Sequence, residues 1–193
     1  MSRRLRVVAG SAGGLQLVAP PGNDLRPTQD RVKEAVFSAL GDRVDDASVL
    51  DLYAGTGALA IEALSRGAAT AVLVERDPAA LDAIVRNLAT TRFADRARIE
   101  RRAVAAVLAG RLLPGAPFDL VFLDPPYDRP DEEVRAVLAR LVQGGWLADD
   151  ATVVVERAAG STPPVVDGLV NSWERAYGDT LVCISTQRSA PET

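Results

Sequence analysis

The sequence predicts an α/β domain. Its centre is a mostly parallel sheet with helices on both faces, closed by an antiparallel C-terminal hairpin and preceded by a small N-terminal β-hairpin and helix extension. Three observations carry this expectation. From residue 41 onward, short apolar runs alternate with segments of helical period, the βα order that builds a parallel sheet. The run Phe118-Asp119-Leu120-Val121-Phe122-Leu123, bounded by Pro117 and Pro125, has the composition of a buried strand. Near the end, Gly178-Asp179 separates two strand-like runs, a two-residue hairpin signal.

Taken in order, residues 4–9 and 15–18 read as two short strands around a Gly13-Gly14 turn. Pro20-Pro21-Gly22-Asn23 is a loop. Pro27-Thr28 opens a helix with Thr28 as N-cap, Asp30 in the first turn and a stripe of Val32, Ala35, Val36, Ala39 and Leu40. Strands are expected at 48–53, 70–75, 97–101, 118–123, 152–156, 170–177 and 180–187, which makes the sheet seven-stranded. A helix at 57–66 is ended by Gly67, and Pro78 starts another with stripe Leu81, Ile84, Val85 and Leu88. A short helix lies near 103–111. The last runs from Pro130 through Val134, Val137, Leu138 and Leu141 to Gly144-Gly145. The chain therefore divides into an extension, 1–40, a core, 41–188, and a disordered tail, 189–193.

Composition excludes several chemistries. The 193 residues are 48% hydrophobic and 25% charged, the balance of one globular domain with a real core. No apolar run approaches a membrane span, and no h-region follows the N-terminal charges, so a cytoplasmic protein without a signal peptide is expected. Cys183 is the single cysteine and histidine is absent, which removes intrachain disulfides, Cys-rich zinc sites and every histidine-based triad; no metal is expected. The net charge is −4, yet residues 1–40 hold six basic groups (Arg3, Arg4, Arg6, Arg26, Arg31, Lys33) against three acidic ones. A local basic face on an acidic body can meet phosphate. Arg26, Arg31 and Lys33, off the apolar stripe, are the candidate contacts.

Two loops carry chemistry. The first, Asp51-Leu52-Tyr53-Ala54-Gly55-Thr56-Gly57-Ala58-Leu59-Ala60, lies on the first strand–helix turn, with Glu75 ending the next strand. Gly55 and Gly57 allow a tight turn and close ligand approach. The pattern matches a dinucleotide fingerprint at face value. Asp51 argues otherwise, because a carboxylate in that crevice would repel a pyrophosphate and welcome a cation. A cofactor carrying an ammonium and a sulfonium fits, with its ribose hydroxyls on Glu75. The second loop is Asp124-Pro125-Pro126-Tyr127 at the end of the buried strand. It offers an acidic acceptor, one or two stiffly aimed carbonyls and a flat ring. That set suits an exocyclic amine on a planar base, donating to Asp124 and the Pro125 carbonyl while Tyr127 stacks.

These residues carry a resemblance. Residues 51–68, Val74-Glu75-Arg76-Asp77 and Asp124-Pro125-Pro126-Tyr127 resemble the class I, Rossmann-like, seven-stranded methyltransferases that use S-adenosylmethionine. Arg26-Pro27-Thr28-Gln29-Asp30-Arg31-Val32-Lys33-Glu34 narrows the likeness to the RsmD-type 16S ribosomal RNA (guanine-N2)-methyltransferases, as do Gly144-Gly145-Trp146-Leu147 and Tyr177-Gly178-Asp179-Thr180. The resemblance implies methyl transfer from S-adenosylmethionine to a guanine N2 in 16S rRNA, within an assembled or partly assembled 30S subunit, by a monomer with an RNA-facing extension. It implies Asp51, Tyr53, Ala54, Gly55, Thr56, Gly57, Glu75, Arg76 and Asp124 around the cofactor. Asp124, Pro125 and Tyr127 would be catalytic, and Arg26, Arg31, Lys33 and Tyr127 would meet RNA. The chain departs from the family pattern at the hairpin turn, Ser11-Ala12-Gly13-Gly14-Leu15-Gln16, which lacks basic residues. It departs again at Arg102-Ala103-Val104, where relatives carry Asp or Asn, so backbone and apolar walls would hold the adenine. DNA adenine-N6 or cytosine-N4 methyltransferases share Asp-Pro-Pro-Tyr but usually add a target-recognition domain, for which no segment here is long enough. A nicotinamide oxidoreductase or non-catalytic nucleotide-binding module shares only the glycine pattern.

Overall fold

The computed structural model describes residues 5–20, 29–126 and 129–188. One sheet of seven strands organises the chain, in the order β3-β2-β1-β4-β5-β7-β6. The strands are β1 (Ser48–Leu52), β2 (Thr70–Val74), β3 (Ala97–Glu100), β4 (Phe118–Leu123), β5 (Leu147–Ala158), β6 (Leu169–Tyr177) and β7 (Thr180–Gln187). The helices are α1 (Gln29–Leu40), α2 (Ala58–Ser65), α3 (Pro78–Thr91), α4 (Val104–Leu108) and α5 (Asp131–Gln143). Strands β1 to β5 pair in parallel, and β7 runs antiparallel to both β5 and β6. β5 is the one strand much longer than expected; it starts at Leu147, and its register against β4 shifts between Phe118 and Leu120.

Side-chain alternation splits the core into two layers. One face of the sheet, with Val49, Leu73, Phe122 and Val154, packs under α1, α2 and α3. The other, with Leu50, Val72, Val121 and Val155, packs under α4 and α5. The stripe expected on α5, Val134, Val137, Leu138 and Leu141, is buried throughout. On α3, Leu81, Ile84 and Leu88 are buried, but Val85 is 44% exposed and Asn87 turns inward instead. On α1, Phe37 and Lys33 join Val32, Val36 and Leu40 in the buried set, while Ala35 and Ala39 are half-buried.

The N-terminal hairpin is a correction. Residues 5–17 form no strands among the described residues; a single antiparallel bridge joins Arg6 to Gln16. The segment folds back on itself through Val7 N to Leu15 O at 2.9 Å, Gly14 N to Val7 O at 2.9 Å and Leu17 N to Leu5 O at 2.8 Å, too short a pairing to make strands, and α2 satisfies much of the rest of its polar backbone. Glu62, fully buried, accepts from Val8 N at 2.7 Å and Ala9 N at 3.0 Å. The Ser65 hydroxyl donates to Ala9 O at 2.6 Å and accepts from Ala12 N at 2.9 Å. A short two-stranded ribbon leaves its outward and turn amides unpaired, and docking on a helix satisfies those of Val8, Ala9 and Ala12 by side chains. Gly10 makes the close approach possible, because a Cβ there would lie 1.9 Å from Ser65 O. α2 is thus covered on both sides, which is why it is apolar nearly all round rather than striped. Thr28, expected to cap α1, and the tail 189–193 lie outside the described residues.

Glu62 also meets Arg66 Nε at 2.8 Å and Lys33 Nζ at 3.6 Å. Glu62→Ala leaves the buried Lys33 ammonium uncompensated. The expected cost is about 3–5 kcal/mol, the usual result of breaking a buried pair from one side. Urea unfolding should reveal it, and amide exchange should speed up selectively at Val8 and Ala9.

Candidate active site

The strand order reverses direction between β1 and β4, the switch point at which open α/β sheets leave a crevice at the carboxyl ends of their strands. A cavity of roughly 1140 Å³ opens there. Five acidic residues line it; Asp77 stands at the start of α3, and the other four form a row: Glu75 after β2, Asp51 on β1, Asp124 after β4 and Glu156 on β5. Register explains their common direction. Asp51 pairs with Leu73 and with Phe122, and Phe122 with Val154. Glu75, Asp124 and Glu156 follow two residues after Leu73, Phe122 and Val154, so all four face the α1–α3 side. With strands about 4.8 Å apart, the row from β2 to β5 extends roughly 14 Å.

Asp51 is 1% exposed. Its Oδ2 accepts from Ala60 N at 3.2 Å, which caps the first turn of α2. Burial, with Asp124 and Glu75 nearby, pushes its carboxyl up to about 8. A carboxylate in that condition is stabilised by an incoming cation. Glu75 serves the loop more than sequence reasoning anticipated. Its carboxylate accepts from Gly55 N at 2.9 Å, Arg76 N at 2.7 Å and Asp77 N at 2.9 Å, so it staples the glycine turn to the start of α3. A carboxylate offers about four acceptor positions, which leaves room for a ligand hydroxyl. Asp77 then caps α3 through Ala80 N at 2.9 Å.

The turn between β1 and α2 depends on left-handed backbone at Tyr53 (φ 61°), Gly55 (φ 54°) and Gly57 (φ 76°). The two glycines have different reasons. A Cβ on Gly55 would meet only Tyr53 O at 3.9 Å, so its surface stays open to the cavity. A Cβ on Gly57 would press on Leu73 Cδ2 at 2.9 Å; Gly57 does not line the cavity and serves packing at the α2 N-terminus. Tyr53, Ala54, Thr56 and Arg76 do line it. Arg102, Ala103 and Val104 also line the cavity, and Arg102 is held by Glu100 at 3.0 Å.

Asp124 is exposed on the cavity wall, and Pro125 is buried beside it. The Pro126 carbonyl is engaged by Arg129 N at 3.0 Å, which singles out the Pro125 carbonyl as the rigid acceptor of the pair. Tyr127 and Arg26 lie outside the described residues. Of the expected RNA contacts, Arg31 is exposed on α1, whereas Lys33 is 4% exposed and donates to Arg6 O at 2.6 Å. Burial holds its ammonium below the usual lysine range, against the pull of Glu62 and Asp30. Lys33 is therefore a core cation that ties α1 to the N-terminal segment, and the surface role expected of it does not fit its position.

Three residues of the site were not found from sequence. Glu156 makes no hydrogen bond to described residues, and burial with Asp124 and Asp51 close by drives its carboxyl well above the usual range. Arg157, 3% exposed, donates to Arg129 O at 2.7 Å and Asp131 Oδ1 at 2.8 Å, anchoring the far end of the Asp-Pro-Pro loop. Asn87, 1% exposed, bonds both polar groups of Val18 and donates to Thr56 O at 2.9 Å. An acid after a run of valines was the only hint of Glu156. Nothing local marked Asn87 or Arg157.

The chain matches the family described as "Conserved hypothetical protein 95" over residues 5–186. It is 41% identical over 165 residues to "Ribosomal RNA small subunit methyltransferase D" of Escherichia coli (strain K12), covering 86% of this chain and 80% of that one. The chain belongs to this family. It is also similar to YlbH of Bacillus subtilis (strain 168), 35% identical over 95% of this chain and 100% of that protein. The solved structure of yhhF from Escherichia coli superposes with a TM-score of 0.85 at 35% identity, covering 97% of this chain and 100% of that one. The strand order with its antiparallel β7 is that of the class I methyltransferases. Among the described residues, no group of His, Cys, Asp or Glu is arranged to hold a metal ion, and no helix is long and apolar enough to cross a membrane.

Asp51 makes stability pH-dependent in a defined direction. Its folded value of about 8 lies above the ordinary 3.8, so the folded chain retains a proton that the unfolded chain releases. Stability is then full below the unfolded value and falls as pH rises toward 8, by at most about 1.4 kcal/mol per pH unit for this group. In urea unfolding at pH 5, 6.5 and 8, Asp51→Asn should lose clearly less stability across the series than wild type. Glu156 keeps part of the slope alive. Equal slopes in the two proteins would contradict the assignment.

Proposed function

We propose that this chain transfers a methyl group from S-adenosylmethionine to the exocyclic N2 of a guanine in 16S ribosomal RNA, acting as a cytoplasmic monomer on an assembled or partly assembled small subunit. The observation that carries the reading is the order of acids along the crevice. Glu75 and the buried Asp51 suit the hydroxyls and ammonium of the cofactor, and the exposed Asp124 with the Pro125 carbonyl suits an amine. Membership of the family supports the same chemistry.

When bound, S-adenosylmethionine supplies a methyl group on a positively charged sulfur. The residues do the rest. Asp51 ionises against the ammonium, and Glu75 keeps the glycine turn closed while accepting from ribose. Asp124 and the Pro125 carbonyl accept the two hydrogens of the guanine amine. That removes electron demand from a nitrogen whose lone pair is delocalised into the ring, and it stabilises the positive charge that builds on it. Alignment of the amine with the methyl supplies the remainder. Asp124, open to solvent, is suited to take the proton the nitrogen must lose. Tyr127 would stack on the base. Arg26 and Arg31 are the phosphate contacts of this proposal. A dinucleotide reading is disfavoured, since the α2 N-terminus, where a pyrophosphate would rest, is already taken by the Asp51 carboxyl at Ala60 N.

The deciding experiment adds the protein and tritiated S-adenosylmethionine to small subunits lacking the modification, then maps the labelled nucleotide. Label on a single guanine N2 is expected; label on adenine, on cytosine or on no RNA would contradict the reading. In single-turnover assays Asp124→Ala should cut transfer by about 10²–10³ while cofactor affinity by calorimetry changes little. Asp124→Asn, which can still accept a hydrogen bond, should fall between. Calorimetry near pH 7 in buffers of differing ionisation enthalpy should register proton release on cofactor binding, lost in Asp51→Asn.

A further inference from the structure

Resting on the proposed guanine reaction, a question about selection follows from the residue next to Asp124. The last described pair of the β4–β5 ladder is Leu123 with Val155, so Asp124 and Glu156 continue side by side on adjacent strands. They are about 4.8 Å apart in the strand-to-strand direction and emerge on the same face. Glu156 lies at the β5 end of the row, beyond Asp124 as seen from Asp51 and Glu75. It lines the cavity, and no described hydrogen bond occupies it. Asp51, by contrast, is engaged at the α2 N-terminus, and Glu75 is engaged by three amides.

We propose that Glu156 selects guanine over other bases by accepting the ring N1–H, while Asp124 beside it accepts from the N2 amine. Guanine is the base that presents two adjacent donors, N1–H and the N2 amine, on its Watson–Crick edge. In the empty crevice Glu156 is inclined toward protonation, and the positive charge of the bound cofactor beside this row of acids favours its ionised form, which is an acceptor only. Facing guanine, Glu156 gains a charge-assisted hydrogen bond. Facing adenine or cytosine, it meets a ring nitrogen lone pair, and two acceptors confront each other in a poorly hydrated cavity. Sites built on such a bond discriminate strongly, because the wrong ligand leaves a polar group unpaired. The row then has a division of labour: Glu75 and Asp51 for the cofactor, Asp124 for the reacting nitrogen, Glu156 for the identity of the ring that carries it.

The discriminating probe is 2,6-diaminopurine, which keeps the reacting 2-amino group, replaces N1–H with a lone pair and carries an amine in place of the O6 carbonyl; the Glu156→Gln comparison isolates the N1 change. Small subunits are reconstituted with RNA bearing either guanine or 2,6-diaminopurine at the mapped nucleotide. Wild type should transfer to guanine at least about 10²-fold faster than to diaminopurine. Glu156→Gln presents an amide NH2 that donates to the diaminopurine N1, so the ratio should fall at least tenfold, chiefly through faster transfer to diaminopurine. A residue that only supports the fold would slow both substrates alike and leave the ratio unchanged. Because both rates come from one protein preparation, partial misfolding cancels. The wild-type ratio needs no variant: a value near one overturns the assignment, as does an unchanged ratio in Glu156→Gln. Wild type that labels no guanine at all overturns the guanine reaction together with this inference.

Discussion

The site depends on one topological constraint, the parting of the chain at β1 and β4. From β1 the chain winds through β2 to β3 on one side; from β4 it winds to β5 on the other. No crossover covers the gap between them, so the carboxyl ends of two central, largely buried strands open onto a crevice. Sheet pleating then aims Asp51 and Asp124 to the same face. The cost is electrostatic. The four acids of the row repel one another, and the protein carries this by keeping Asp51 and Glu156 inclined toward protonation. A cationic ligand reverses that balance, so the same charges that strain the free chain become the means of binding.

Stability of the loop geometry comes from polar contacts behind the crevice. Glu75 ties the glycine turn to α3, and Asn87 on α3 ties that turn's Thr56 to Val18 of the N-terminal segment. Glu62 and Ser65 bind the preceding part of that segment to α2. Lys33 then joins α1 to both. The extension is therefore part of the wall of the core. Leu5 and Val32 reach the cavity, so the described parts of the extension help to line the crevice.

The Asp-Pro-Pro loop is fixed differently. Its start follows from β4 and from proline stiffness, properties of the local chain. Its far end is held by Arg157 reaching from β5 to Arg129 O and Asp131. Glu156 and Arg157 alternate across the sheet, one toward the crevice and one toward the helix α5 side, so two neighbouring residues of one strand serve the same loop from opposite faces.

What the sequence determined by itself were features set by local chemistry. Periodicity identified the strands β4 and β7 to the residue and the buried stripe of α5. Glycine at positive φ marked the turn at Gly55 and Gly57, and the carboxylates at strand ends, Asp51, Glu75 and Asp124, followed from where those strands stop. The tertiary structure decided everything that depends on what packs across a side chain. Lys33 read as a surface cation because its neighbours in sequence are polar, and it is buried because the N-terminal segment closes over it. The same segment read as a pair of strands because its residues suit them; it keeps only one bridge and three backbone hydrogen bonds between its two arms, and its turn is moulded to α2 because Glu62 and Ser65 take the amides of Val8, Ala9 and Ala12. Asn87 and Arg157 carried no local signal and Glu156 only its place after a run of valines, since a polar residue declares its role through partners more than twenty residues away or on a neighbouring strand.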